Sequence, residues 1–480
     1  MPESSRIIID SRSIPVILLS KSYRYLLFAL LILVNQFLLV QVPPEGLSSE
    51  GWKAIIVFGD CVFLWVTQLL PLAITGLLAV AVPPLLQILS PRESFALFGN
   101  ETVFFILGVF ILAAAMMKSG LSTRIALKLL RRAGMRPKKL LFQILLTAAL
   151  LSFVMSEHAV AAMMFPIILE IARALEFIPY GGSYGRLLFF AMAWGCIVGG
   201  IATFLGSGRA ILSVGILSEL TGESLSFIQW TLASFPVVLI MFAAAYLMMT
   251  RYFKIDVTTV EEADRILTSK IRAQGKPSPT EWFISLTFFI TIFFWIFYGM
   301  KTGMAVISIL AVVVLFVFRI VSWKDLEEYV NWGVFLMYGG AICLSSVLDK
   351  TGAGKWMADS VIQGIGGDPF WATILFTTGA LILTEAISNS AVVAVMTPVA
   401  ISLCSPLGLD PKGMALLIAL ASGLGNALPM STPAMAIAFS SGYFRMRDTI
   451  TPALVMSLVS LLALLLVGHY WWPVLGIKIF

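Results

Sequence analysis

The stretch MSEHAVAAMMFP, residues 155–166, places Glu157 and His158 side by side inside a long apolar run. A carboxylate there can pair with a cation or take up a proton, and an imidazole titrates near neutral pH. Downstream, LGSGRA brings Ser207 and Arg209 into another apolar stretch. A lone acid or guanidinium in hydrocarbon is expensive, so Glu157 and Arg209 are expected to pair if their segments meet. A second concentration of polar groups comprises Thr384, Ser388, Asn389 and Ser390, followed by Ser431, Thr432 and Pro433. Their hydroxyls, amides and carbonyls suit a small anion or a hard cation such as sodium. His158 with Ser207 superficially offers a base and a nucleophile, but FLGSGR lacks a glycine two residues before the serine, so an intramembrane serine hydrolase is a weak reading. Cys61, Cys196, Cys343 and Cys404 lack CxxC spacing and imply no metal or disulfide framework.

The elements carrying these residues must lie in a membrane. The chain is 59% hydrophobic and 12% charged, with a mean hydropathy of +0.96, far outside the range of a soluble domain. An all-α polytopic membrane protein follows, with about eleven crossings of roughly 20 residues each. Leu140–Ala172 and Pro369–Leu403 are too long for one crossing, too short for two, and polar at their centres, so each reads as a re-entrant hairpin. The net charge of +6 sits in short loops and does not point to nucleic acid. Between Lys118 and Lys139 eight basic residues stand with no acid, which assigns that loop to the cytoplasm. Arg6, Arg12, Lys21 and Arg24, and the run from Arg251 to Lys276, then fall on the same side, with the C-terminus outside. The segment Met1–Ser22 lacks a cleavable signal, so the first apolar run is expected to stay as a helix in a bacterial inner membrane.

The chain repeats itself. KSG at 118–120 returns as KTG at 350–352, and SEHAVAAMMFP at 156–166 returns as SNSAVVAVMTP at 388–398, both shifted by 232. LGSGRA and MSTPAM follow the two hairpins at nearly equal distance. Five crossings separate the copies, an odd number, so the second is inverted. The divisions are residues 1–50 with the first helix, 51–253 as the first repeat, 254–281 as a cytoplasmic linker and 282–480 as the second repeat. Inverted repeats with interrupted helices point to a secondary transporter whose site lies near the midplane, because unwound backbone is tolerated only where it lines a cavity. Helix N-termini at hairpin tips favour an anion.

In FILGVFILAAAMMKSGL, SEHAVAAMMFPI, TEAISNSAVVAVMTPV and LPMSTPAMAIAFSSG, the chain resembles the divalent anion to sodium symporter family, and the resemblance runs from about Gly51 to Tyr470. It implies a homodimer with a fixed scaffold and a transport unit moving like an elevator, no enzymatic activity, no bound cofactor, and sodium or a proton as coupling ion. It implies substrate contacts from Ser156, Glu157, His158, Ser207, Ser388, Asn389, Ser390, Thr432 and Pro433, and a second sodium site at Thr384, Ser388, Asn389 and Ser431. The second half keeps most of the family's pattern, with Ser388, Asn389 and Ser390 where Ser-Asn-Thr is expected and Met435 in place of Asn. The first half departs: Glu157 and His158 replace Asn and Thr of the hairpin signature, and Arg209 with Ala210 replaces Pro-Asn. Arg209 with Glu157 is therefore expected to stand in for the first sodium, with His158 near the substrate. Coupling stays open between protons, one sodium and anion exchange. The substrate is expected to be a C4-dicarboxylate or a related di- or tricarboxylate, with a sulfate or arsenite-type oxyanion permease as the competitor. Two plainer readings are that Glu157 and His158 form a hydrogen-bonded structural pair, and that Arg209 snorkels to an interface.

Overall fold

Inside hydrocarbon every backbone N–H and C=O must find a partner within the chain, so the apolar runs become helices. A computed structural model describes residues 14–479, which form helices joined by short connections, with no strand among them. Arg6, Arg12 and the side chain of Lys21, assigned from sequence to the cytoplasmic side, lie outside the described residues.

The first half comprises α1 (Ile14–Val40), α2 (Ser49–Thr67), α3 (Leu72–Leu85), α4 (Pro91–Phe98), α5 (Glu101–Lys118), α6 (Leu121–Leu130), α7 (Pro137–Ser152), α8 (Glu157–Ala174), α9 (Ser183–Gly200), α10 (Gly208–Thr221) and α11 (Phe227–Arg251). An amphipathic α12 (Glu261–Gln274) lies in the linker. The second half comprises α13 (Pro279–Thr302), α14 (Met304–Val317), α15 (Trp323–Tyr329), α16 (Trp332–Lys350), α17 (Ala353–Ile365), α18 (Pro369–Ala386), α19 (Asn389–Leu407), α20 (Pro411–Ser422), α21 (Pro433–Ser440) and α22 (Met446–Tyr470).

A shift of 232 carries α3 onto α14, α5 onto α16, and the pair α7–α8 onto α18–α19. The packing follows the same rule with the partners exchanged. Helix α3 packs on α16 and α5 on α14, while α10 packs on α19 and α21 on α8. At residue level, a Cβ on Gly340 would overlap the backbone of Gly76, and a Cβ on Gly108 would overlap Ser308. The two contacts are one contact repeated, since Gly76 maps to Ser308 and Gly108 to Gly340. Small residues at such crossings let helices approach closely where no hydrophobic effect drives them together.

Sequence reading expects uniform spans, and the helices are less regular. Eight helices among the described residues are long and apolar enough to cross a membrane singly, whereas Leu72–Leu85, Met304–Val317 and Pro411–Ser422 are shorter apolar helices. The segments read as a loop at 118–139 and a linker at 254–281 contain α6 and α12. Lys118 reaches Asp325 at 2.6 Å, and Arg124 reaches Glu281 at 2.8 Å, so the basic stretch is tied to the start of the second half.

Candidate functional site

Both hairpins turn in the same way. Ser156 holds extended backbone (φ −60°, ψ 143°) and its hydroxyl accepts from the Ala159 N–H, capping α8. Ser388 does so for α19 (φ −63°, ψ 141°), accepting from Ala391. Serine suits the position because its side chain supplies one of the partners a helix start lacks.

Each tip leans on the helix break of its own half. The Glu157 N–H donates to the Gly206 carbonyl, and the Thr203 hydroxyl donates to the Phe153 carbonyl at 2.6 Å. Opposite, the Thr384 hydroxyl donates to the Ser422 carbonyl at 2.6 Å. The Glu385 carboxylate accepts from the N–H groups of Asn426, Ala427 and Leu428 at 2.7, 3.1 and 3.0 Å. This carboxylate braces the unwound stretch between α20 and α21, whose amides would otherwise lack partners.

Glu157 and Arg209 meet. Arg209 Nη1 lies 3.1 Å from Glu157 Oε1, with the arginine side chain 2% and the glutamate side chain 7% exposed. That burial rules out snorkelling, and the carboxylate's partner is Arg209 and not His158. The guanidinium then crosses into the second half, where a Cβ on Gly423 would overlap its Nη2. Asn389 completes the link. The Thr384 hydroxyl has one proton to give, and Ser422 takes it, so the Asn389 amide is oriented with its nitrogen toward Thr384 and the Ser431 carbonyl. Its oxygen then accepts from Arg209 Nη1 at 3.0 Å. The opposite orientation would give Thr384 two acceptors for one proton and turn the amide nitrogen toward the guanidinium. Arg209 thus bridges the first hairpin to the second.

In front of this pair lies a cavity of about 330 Å³, at the small end of ligand pockets. Ser156, Glu157, His158, Ser207, Ser390 and Pro433 line it, together with Phe110, Ala113 and Met117 of α5. Glu328, Tyr329 and Asn331 stand on its wall beside α15. Of the other residues expected at the substrate, Ser388 caps α19, Thr432 caps α21 by accepting from the Met435 N–H, and Asn389 faces inward to Arg209. None of these three lines the cavity. Ser431, expected at a sodium site, donates its hydroxyl to the Leu428 carbonyl, leaving its own carbonyl toward Asn389.

Tyr338 is a further lining residue outside the sequence reading. Tyr338 of α16 is 1% exposed, and its hydroxyl lies 2.8 Å from Ser390 Oγ. The signal was available: the shift of 232 pairs Tyr338 with Ile106, a polar group opposite an apolar one.

A family profile described as the sodium:sulfate symporter transmembrane region matches residues 20–478. The chain belongs to this family of anion symporters. Among curated relatives of the family, the sodium-dependent dicarboxylate transporter SdcS of Staphylococcus saprophyticus is 26% identical, over 95% of this chain and 91% of the relative. SdcS of Staphylococcus aureus strain bovine RF122 is 27% identical, over 91% and 89%. Among solved structures, the Alcanivorax borkumensis YdaH transporter shares the fold with a TM-score of 0.53 at 15% identity, covering 78% of this chain and 85% of that one. The protein is therefore a multi-pass membrane transporter of the anion symporter family, not an enzyme.

Proposed function

We propose that this protein moves small carboxylates, C4-dicarboxylates first among them, across the cytoplasmic membrane by an elevator movement, with Arg209 and Glu157 replacing one coupling sodium. The observation that carries this is the Arg209 guanidinium, held by Glu157 of one hairpin and Asn389 of the other directly behind the cavity. Two of the departures from the family pattern, Glu157 and Arg209, thereby form one unit, with the guanidinium fixed to the chain.

The family's dicarboxylate relatives support the substrate class. The reciprocal helix pairing supports an inverted repeat, in which the hairpins and broken helices form the transport unit and α3, α5, α14 and α16 the scaffold. The cavity wall beside α15 lies on the side of the basic segment 118–139, so the positive-inside rule makes this conformation inward-facing, with the N-terminus cytoplasmic and the C-terminus outside. The family resemblance supports a homodimer, and the bacterial relatives support a place in the cell membrane.

The test is counterflow in proteoliposomes with labelled succinate, citrate, sulfate and arsenite. Exchange of succinate or citrate supports the reading. Exchange confined to sulfate or arsenite replaces it with an oxyanion permease, and exchange of none overturns it.

A further inference from the structure

We infer that the connection between α5 and the first hairpin is a docking surface for the headgroups of anionic phospholipids. Between Glu101 and Glu157 the chain holds no acid, and Lys128, Arg131, Arg132, Arg136, Lys138 and Lys139 stand close together there. All six are exposed. Among the described residues none of the six forms an ion pair with a carboxylate of the chain, whereas Lys118, Arg124, Arg265 and Lys270 reach Asp325, Glu281, Glu261 and Glu170. Orientation by the positive-inside rule counts basic residues whether or not they are paired. Six unmatched cations on one short connection call for a partner that brings the opposite charge.

The surface is held in shape. The Met135 carbonyl accepts from the Val260 N–H at 3.1 Å, and the Pro137 carbonyl accepts from the Tyr184 hydroxyl at 2.8 Å. Leu127, Leu130 and Leu140 are buried, and the turn Arg131–Ala133 packs on α7 and α12. The acids that follow Val260 do not cancel the charge. Glu261 and Glu262 turn to Arg265 at 2.8 and 2.7 Å, so with Asp264 the start of α12 keeps three acids less one arginine, two negative charges, beside six positive ones.

Position decides the partner. Helix α5 is an apolar span that ends at Lys118, and α7 starts the first hairpin at Pro137, so the connection leaves the membrane and re-enters it between those two residues. Its cations therefore lie at the level of the lipid headgroups. Met135, 55% exposed beside Arg136, offers an apolar side chain to the same surface. Basic clusters of about this size next to a membrane span attract anionic lipids, with a gain of about fivefold in affinity per charge near the surface. The three guanidiniums can each hold two oxygens of a phosphate.

The experiment is thermal unfolding of the purified full-length protein in mixed micelles. Phosphatidylglycerol and phosphatidylcholine of the same chains are titrated in turn, and inorganic phosphate and a poly-glutamate peptide separately. Phosphatidylglycerol is expected to bind about tenfold or more tighter than phosphatidylcholine at about 50 mM salt, with the preference shrinking at about 500 mM. The triple variant Arg131→Gln, Arg132→Gln, Arg136→Gln is expected to lose about a hundredfold in phosphatidylglycerol affinity, and the milder pair Lys138→Gln with Lys139→Gln about twentyfold. The pair decides the matter if the triple variant fails to fold. Equal affinity for the two lipids, a preference that salt leaves unchanged, or variants that bind as wild type does overturn the inference. A response to phosphate or poly-glutamate with none to phosphatidylglycerol assigns the surface to a soluble anion and also overturns it. None of these outcomes reads succinate transport, so the transporter reading stands or falls separately.

Discussion

Arg209 of the first half and Asn389 of the second lie within 3.0 Å, the guanidinium donating to the amide oxygen while its Nη1 also reaches Glu157. A side chain from one helix break therefore holds both hairpin tips. In such a bridge the loss of any one member leaves a buried group unmatched, and the consequences can be measured.

Breaking the ion pair from one side strands a charge. Glu157→Ala or Arg209→Ala is expected to cost about 3–5 kcal/mol of stability, whereas the double variant Glu157→Met with Arg209→Met recovers most of it. Thermal unfolding in detergent measures all three. Equal loss in single and double variants would show that the pair does not act as a unit.

Gly423 gives the guanidinium its resting place. Gly423→Ala puts a methyl group where Arg209 Nη2 lies, and it is expected to reduce transport at least tenfold. Gly364→Ala, where nothing stands within 4 Å, is the control and is expected to leave uptake unchanged. Uptake of labelled succinate at matched reconstitution compares them.

The hairpins were legible in the sequence because polar side chains inside an apolar run must line a turn or a cavity, and the 232-residue shift announced the second copy. The expected pairing of Glu157 with Arg209 followed from the cost of a lone charge in a membrane. The reach of Arg209 to Gly423 and Asn389 was not legible, because charge balance says which groups must meet and not which neighbours share the space. Helices α6 and α12 were hidden by their charges, which read as a loop and a linker when apolar runs are the only guide. Tyr338 was missed because a tyrosine in an apolar helix is usually packing; only its pairing with Ile106 across the repeat marks it.

Tyr338 joins α16 to the second hairpin through Ser390. Tyr338→Phe removes a hydrogen bond worth about 0.5–1.5 kcal/mol. The expected result is a rise in KM for succinate of up to about tenfold with normal protein yield. An unchanged KM would place the tyrosine outside the substrate's path.

The Lys118–Asp325 pair ties α5 to the start of α15. Burial pushes the Asp325 carboxyl up, but the Lys118 ammonium and the Ser322 hydroxyl and N–H outweigh it and hold it at about 2. A depressed carboxyl stabilises the fold above its unfolded value of about 4, and the gain disappears as pH falls toward 2. Wild type is therefore expected to be more stable than Asp325→Asn by a constant margin above about pH 5, with the margin shrinking below about pH 4. A margin that grows on acidification would contradict the assignment.

The most direct measurement is the sodium dependence of labelled succinate uptake into proteoliposomes, with sodium and proton gradients imposed separately. With the Arg209–Glu157 pair in place of an ion, uptake is expected either to need no sodium or to rise with sodium at a Hill coefficient of about one. A steep dependence with a Hill coefficient of about two or more would show that mobile ions still supply the charge, and that Arg209 replaces none of them.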